Sequence, residues 1–249
     1  MSYRIFLAGA SGVIGRRLVP LLAGAGHHVV GMGRSPKRAS ELPALGAEYV
    51  AVDVFEGDAV AEAIITARPD IVIHQLTDLP DTLDPGLMNE AIIGNARIRE
   101  EGTRNLVNGA IAAGARRLIA QSIAWAYAPG TAPYYETDAL DINAQGNRAI
   151  TIRGILALEN QVLNAPAIEG VVLRYGQLYG PGTSRNMPCG TSPLHADAAA
   201  YAALCALDHE EFGVFNIAEP GGEVVIQKAV DRLGWCADFR LATANAGTK

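Results

Sequence analysis

Three glycines at three-residue spacing, Gly9, Gly12 and Gly15, stand in "FLAGASGVIGRRL" between a β-rich run and a helical one. Glycine lets a backbone turn sharply and come close to a phosphate. The helix that follows supplies free N–H groups and the positive end of its dipole. Gly9, Ser11, Gly12, Val13, Ile14 and Gly15 are therefore read as the cradle of a pyrophosphate. The second β-rich run ends in "GMGRSPKR", with no Asp or Glu between Gly31 and Ser40. A carboxylate here would hold a ribose 2′-hydroxyl. Arg34, Ser35 and Arg38 suit a 2′-phosphate instead, because a guanidinium pairs phosphate in a forked, charge-assisted geometry. The expected cofactor is NADP(H), with NAD(H) second. Further along, "LIAQSIAWAYAPG" carries Ser122 and Tyr127, and "DIVIHQL" carries His74.

The elements that must position these groups alternate. "YRIFLAG", "HHVVGMGR", "AEYVAVDV", "DIVIHQL", "ARRLIAQS", "GVVLRYGQLYG" and "GVFNIA" read as strands. "SPKRASELPALG" reads as a helix capped by Ser35, and others fall at "GDAVAEAIITARP", about Leu87 to Ala113, "AITIRGILALENQVLNAP", "ADAAAYAALCAL" and "VVIQKAVDRLGW". Strands this apolar on both faces belong to a parallel sheet covered on both sides, so the fold class is α/β, a doubly wound Rossmann sheet. Residues 1–174 form the dinucleotide-binding domain, and strand 213–218 returns to it. Residues 175–249 form a small substrate lobe, whose loop 181–193 is expected to act as a lid or substrate loop.

Composition narrows the function classes. The chain has 249 residues and a net charge of −6, with its basic residues dispersed, which argues against nucleic acid. No apolar run reaches the length of a membrane span, and "MSYRIFLAGASG" is not a signal peptide. Cys189, Cys205 and Cys236 are odd in number and lack metal spacing, so reduced thiols, a cytoplasmic location and no metal are expected.

The ordered motifs resemble the short-chain dehydrogenase/reductase superfamily in its extended or atypical branch, which includes sugar-nucleotide epimerases and dehydratases. "AVDVFEGDAV" resembles the acidic turn after the third strand, placing Asp53 and Val54 at the adenine. "IVIHQLT" resembles the segment beside the cofactor, which brings in His74, Gln75 and Leu76. "GTRNLVNGAIAAGARRLIAQS", "VVLRYGQLYGPG" and "PLHADAAAYAALCAL" resemble later family motifs. The resemblance implies that Tyr175, Gln177 and Leu178 pass the nicotinamide end. It implies a pocket lined by Tyr127 and Trp125, with His74 and His195 as further substrate contacts, and a helix start at which Asp197 caps. It also implies a homodimer formed through the 87–113 region and the "AITIRG" helix.

The catalytic machinery departs from the family. Members often carry Y-x-x-x-K-x-x-x-E in the "AITIRG" helix, where Glu159 fits the final Glu. Thr151 then stands at the Tyr position and Ile155 at the Lys position. The chain has three lysines, Lys37, Lys228 and Lys249, and none follows a Tyr by four residues. The Asn often found three residues before "GT" is Arg99. Glu159 falls on the helix's apolar stripe and so needs a partner or a wet interface. Ser122 matches the family's site serine, and Tyr127 is the other candidate proton donor. The expected function is an NADP-dependent oxidoreductase acting on a small carbonyl or sugar-like substrate with a non-standard donor. The alternatives are a redox sensor without turnover, and a sugar-nucleotide epimerase or dehydratase.

Overall fold

The computed structural model describes residues 1–34, 41–79 and 86–242. The proposed cap Ser35 and the anion ligand Arg38 lie outside the described residues.

Seven parallel strands form the central sheet: β1 (Arg4–Ala8), β2 (His28–Gly33), β3 (Ala47–Ala51), β4 (Ile71–His74), β5 (Arg117–Ile123), β6 (Glu169–Tyr175) and β9 (Gly213–Ile217). Their order is β3-β2-β1-β4-β5-β6-β9. The chain runs outward from β1 in one direction and then from β4 in the other, so a switch point opens between β1 and β4. In such sheets a ligand crevice lies there, beyond the carboxyl ends of the strands.

Two apolar layers cover the sheet. On one face pack α1 (Gly15–Gly24), α2 (Leu42–Leu45), α7 (Ala196–Cys205) and α8 (Gln227–Leu233). The alanines of α7 are small enough for it to lie close on α1 and the sheet, and Trp235 closes that layer by donating its indole N–H to the Ala198 carbonyl (2.9 Å). On the other face lie α3 (Gly57–Ala67), α4 (Met88–Arg97), α5 (Thr103–Ala112) and α6 (Gly146–Leu163). The expected helix from about Leu87 to Ala113 is interrupted by a π-helical turn, Ile98–Gly102, between α4 and α5.

Strand β9 returns to the sheet edge, and α7 shares the sheet's own core. A short parallel pair, β7 (Gln177–Tyr179) and β8 (Pro193–His195), stands outside the main sheet and brackets loop 181–193. That loop is pinned at its start, where Arg17 donates to the Pro181 carbonyl (2.7 Å). Among the described residues, no helix is long and apolar enough to cross a membrane.

Candidate functional site

The turn after β1 is held by close approaches that only glycine permits. Gly9 has φ +88°, and a Cβ there would lie 2.7 Å from the backbone of Gln75. A Cβ on Gly15 would lie 2.2 Å from the Gly9 carbonyl oxygen. Gly12 is less constrained: a Cβ there would lie 3.3 Å from the Gly9 carbonyl oxygen, tight but not a clash, and no other atom lies within 4 Å. Among the described residues, the N–H groups of Ser11, Val13 and Ile14 make no hydrogen bond within the chain. α1 starts with neither a side-chain cap nor an acidic residue in its first turn. An uncapped, unneutralised helix start beside three open amides is complementary to a pyrophosphate. Nearby, Gln75 is buried, and its Oε1 has no partner although its Nε2 meets the Tyr175 hydroxyl (3.4 Å). This donor-rich turn and the orphaned acceptor fit a dinucleotide.

At the adenosine end, Asp53 accepts the Phe55 N–H (3.1 Å) and shapes the turn after β3, while the Val54 carbonyl accepts from Asn105 (2.8 Å). Arg34 forms an exposed ion pair with Asp78 (3.1 Å), so it reaches across from the end of β2 toward the segment after β4. At the far end, Gln177 accepts the Ser192 N–H (3.0 Å), and Leu178 packs on the core.

The candidate proton donors are engaged elsewhere. His74 is fully buried. Its Nδ1 accepts the Leu76 N–H (3.2 Å), so Nε2 carries the hydrogen and donates to Thr103 Oγ1 (3.1 Å). Burial, helped by the Arg99 charge, pushes its pKa from 6.5 to about 3. The unfolded chain therefore takes up a proton below pH 6.5 that the folded one refuses, and stability falls as pH drops through that window. The expected cost is about 1.4 kcal/mol per pH unit at this site. In urea unfolding at neutral pH and at about pH 4, His74→Asn should flatten this part of the acid dependence; an unchanged slope would contradict the assignment.

Ser122 and Tyr127 belong to one buried network. Arg174, 4% exposed, and Glu159, 5% exposed, form a forked pair with bonds of 2.9 and 2.7 Å. Ser122 Oγ donates to Glu159 Oε1 (2.7 Å). The Tyr127 hydroxyl donates to Asn216 Oδ1 (2.6 Å) and accepts from Arg174 Nη1 (2.9 Å). Burial raises the Tyr127 pKa, with Arg174 opposing. The partner that Glu159 requires is thus Arg174, on strand β6. An Arg inside the apolar run "VVLRY" was the available signal. Asn216 went unnoticed because its role exists only across β6 and β9.

Thr151 and Ile155 replace the missing pair with quite different surroundings. Ile155 is fully buried among Ile123, Tyr127, Leu140 and Ile152, and Thr151 bonds back to the Asn147 carbonyl (3.2 Å). Trp125, 38% exposed, and Tyr127 line a cleft of about 280 Å³ with Tyr134, Arg148 and Glu223. Arg148 holds the rim by donating to the Trp125 and Tyr127 carbonyls (3.1 and 2.9 Å). His195 lies away from this cleft, edge-on to Tyr179 (5.1 Å). It caps α7 itself by accepting the Asp197 N–H (3.1 Å), which corrects the cap expected from Asp197. Asp197 instead pairs with Arg17 and ties α7 to α1.

A family model described as NAD(P)H-binding matches residues 9–152, which include the glycine turn and Ser122. The chain belongs to this family. Its glycine turn and sheet order are those of an atypical short-chain dehydrogenase/reductase. A 3-diazoavenalumate denitrifying reductase from a Streptomyces species is 40% identical over 237 residues, covering 87% of this chain and 76% of that protein. Among solved structures, the UDP-glucose 4-epimerase of Thermotoga maritima superposes with a TM-score of 0.76 at 17% identity, covering 96% of this chain and 94% of the epimerase. The Bordetella bronchiseptica enzyme WbmG, in complex with NAD and UDP, superposes with a TM-score of 0.74 at 18% identity, covering 97% and 91%. At these identities the two structures share the fold.

Proposed function

We propose that this protein is an NADPH-dependent reductase whose acceptor is a small diazo-bearing arene. When bound, the cofactor supplies a hydride from nicotinamide C4. The observation that carries the reading is that the proton donors expected from the sequence, Ser122 and Tyr127, are sealed into a buried network. Thr151 and Ile155 stand where Tyr and Lys would be, while His74, Ser122 and Tyr127 are buried and bonded to protein partners. A carbonyl or sugar-like acceptor, the class favoured from sequence, becomes an alkoxide on taking up hydride and needs an acid. An arenediazonium ion does not. It accepts one hydride, its C–N bond breaks, dinitrogen leaves, and a neutral arene remains: Ar–N₂⁺ + H⁻ gives Ar–H + N₂. Two electrons pass to the arene fragment, and no net proton comes from the protein. The 40% identical relative is named for a reaction of this class.

The chain's task is then to bind and orient. The 9–15 turn would hold the pyrophosphate. The cleft beside Trp125 and Tyr127 would hold the arene by apolar contact, with Tyr127 kept rigid by Arg174 and by stacking on Tyr134 (centroids 5.1 Å apart). Arg34 supports NADPH over NADH, since a 2′-phosphate would displace Asp78 as its anionic partner.

The test incubates the protein with a carboxylated arenediazonium salt and either NADPH or NADH, following cofactor oxidation and dinitrogen release above a protein-free control. Equal amounts of NADP⁺ and N₂ are expected, with NADPH preferred by about tenfold. Turnover of carbonyls instead would reassign the acceptor. Tight NADPH binding without any oxidation would mean a sensor.

A further inference from the structure

The carboxylates neighbouring Arg99 are all engaged elsewhere. Glu100 pairs with Arg153, Glu101 with Arg97, and Glu159 with Arg174 and Ser122. Arg99 itself makes no hydrogen bond or ion pair with a described residue. It sits in the π-helical turn 98–102, a distortion that costs regular helix geometry and tends to be kept where it serves a site. Its side chain is half-buried and runs along α6. At Gly154 α6 approaches Ala96 closely, with a built Cβ 3.0 Å from the Ala96 Cα, and the Arg99 side chain passes the same point, its Cδ 3.4 Å from that Cβ. Thr103, four residues on from Arg99, meets His74 at the carboxyl end of β4 (3.1 Å), and Gly154 lies between Thr151 and Ile155 on α6, so the Arg99 side chain starts between the end of β4 and that stretch of α6. Burial lowers its own pKa to about 10, so it stays charged at neutral pH.

A half-buried guanidinium that no described carboxylate engages is free to meet an anionic or hydroxyl-bearing ligand. The glycine turn takes the phosphates, and the adenosine end is met by Arg34 and the Asp53 turn. What remains of a dinucleotide at the β4–β5 edge is its nicotinamide-ribose half. We propose that Arg99 is a positioning residue that donates to the hydroxyl oxygens of that ribose. Its fork of donors suits a vicinal diol, and its charge, unlike a lysine's, survives burial without titrating. This inference rests on NAD(P)H binding and is independent of the diazo acceptor.

The test uses Arg99→Met and Arg99→Lys, with two probes: NADPH, and adenosine 2′,5′-bisphosphate, which lacks the nicotinamide half. Calorimetric titration should show NADPH binding weakened about tenfold or more in Arg99→Met, with part of the loss recovered in Arg99→Lys. The bisphosphate should bind all three proteins alike. The Tm of the unliganded Arg99→Met protein should be unchanged or higher, because no ion pair with a described residue is lost. Unchanged NADPH affinity would overturn the proposal. So would an equal loss for both probes accompanied by a lower Tm, which would make Arg99 a structural residue.

Discussion

Arg174→Met is expected to destabilise the fold by about 3–5 kcal/mol, the cost of leaving a buried charge without its partner. Glu159 would keep only the Ser122 hydroxyl, in a site where it is now 5% exposed and doubly bonded to Arg174. Tyr127 would also lose the Arg174 donor and the guanidinium over its ring, 5.0 Å from the centroid. For a chain of this length the corresponding fall in Tm is roughly 10 °C. The double variant Arg174→Met/Glu159→Gln removes both charges and should recover much of the loss. Urea unfolding of the two variants measures this. A loss below about 1 kcal/mol in Arg174→Met would mean that the pair is not the structural tie it is described as here.

The second large effect separates the glycines of the turn. The Cβ of Gly12→Val would lie 3.3 Å from the Gly9 carbonyl oxygen, a tight contact but not the clash met at Gly15, so the protein should fold with a modestly lowered Tm while the new side chain fills the space a pyrophosphate needs. NADPH affinity should drop about a hundredfold, the equivalent of losing several amide contacts to charged oxygen. Gly15→Ala drives a methyl group to within 2.2 Å of the Gly9 carbonyl, so it should lower both affinity and Tm. Calorimetry and thermal unfolding together decide the matter. If Gly12→Val bound NADPH normally, the cradle would have been placed wrongly.

These two sites also mark what could be read from sequence. The glycine turn was legible because its chemistry is local: spacing, preceding strand and following helix all lie within a few residues. The sheet was legible for the same reason, as runs such as "RIFLA" and "DIVIH" are apolar on both faces. The vacancy at Thr151 and Ile155 was legible by counting from Glu159, and the scarcity of lysine supported it. The buried network was not. Glu159 and Arg174 are 15 residues apart, and the bonded pair Tyr127 and Asn216 are 89 apart. Such contacts depend on strand order and register, which no local pattern encodes. Neither the interruption at 98–102 nor the sealing of Ser122 could be foreseen, because "ARIREEGTRNL" has helical composition throughout and a strand-end hydroxyl can face either side.

The proposed reaction transfers hydride without a proton from the protein. It is tested most directly by single-turnover oxidation of bound NADPH with an arenediazonium acceptor, run in H₂O and in D₂O, and with cofactor deuterated at the transferred position. The account predicts dinitrogen release equal to NADPH consumed, a rate that falls with the deuterated cofactor, and the same rate in both solvents. A hydride step that slows in D₂O would show that a proton moves in its transition state, and would contradict the account.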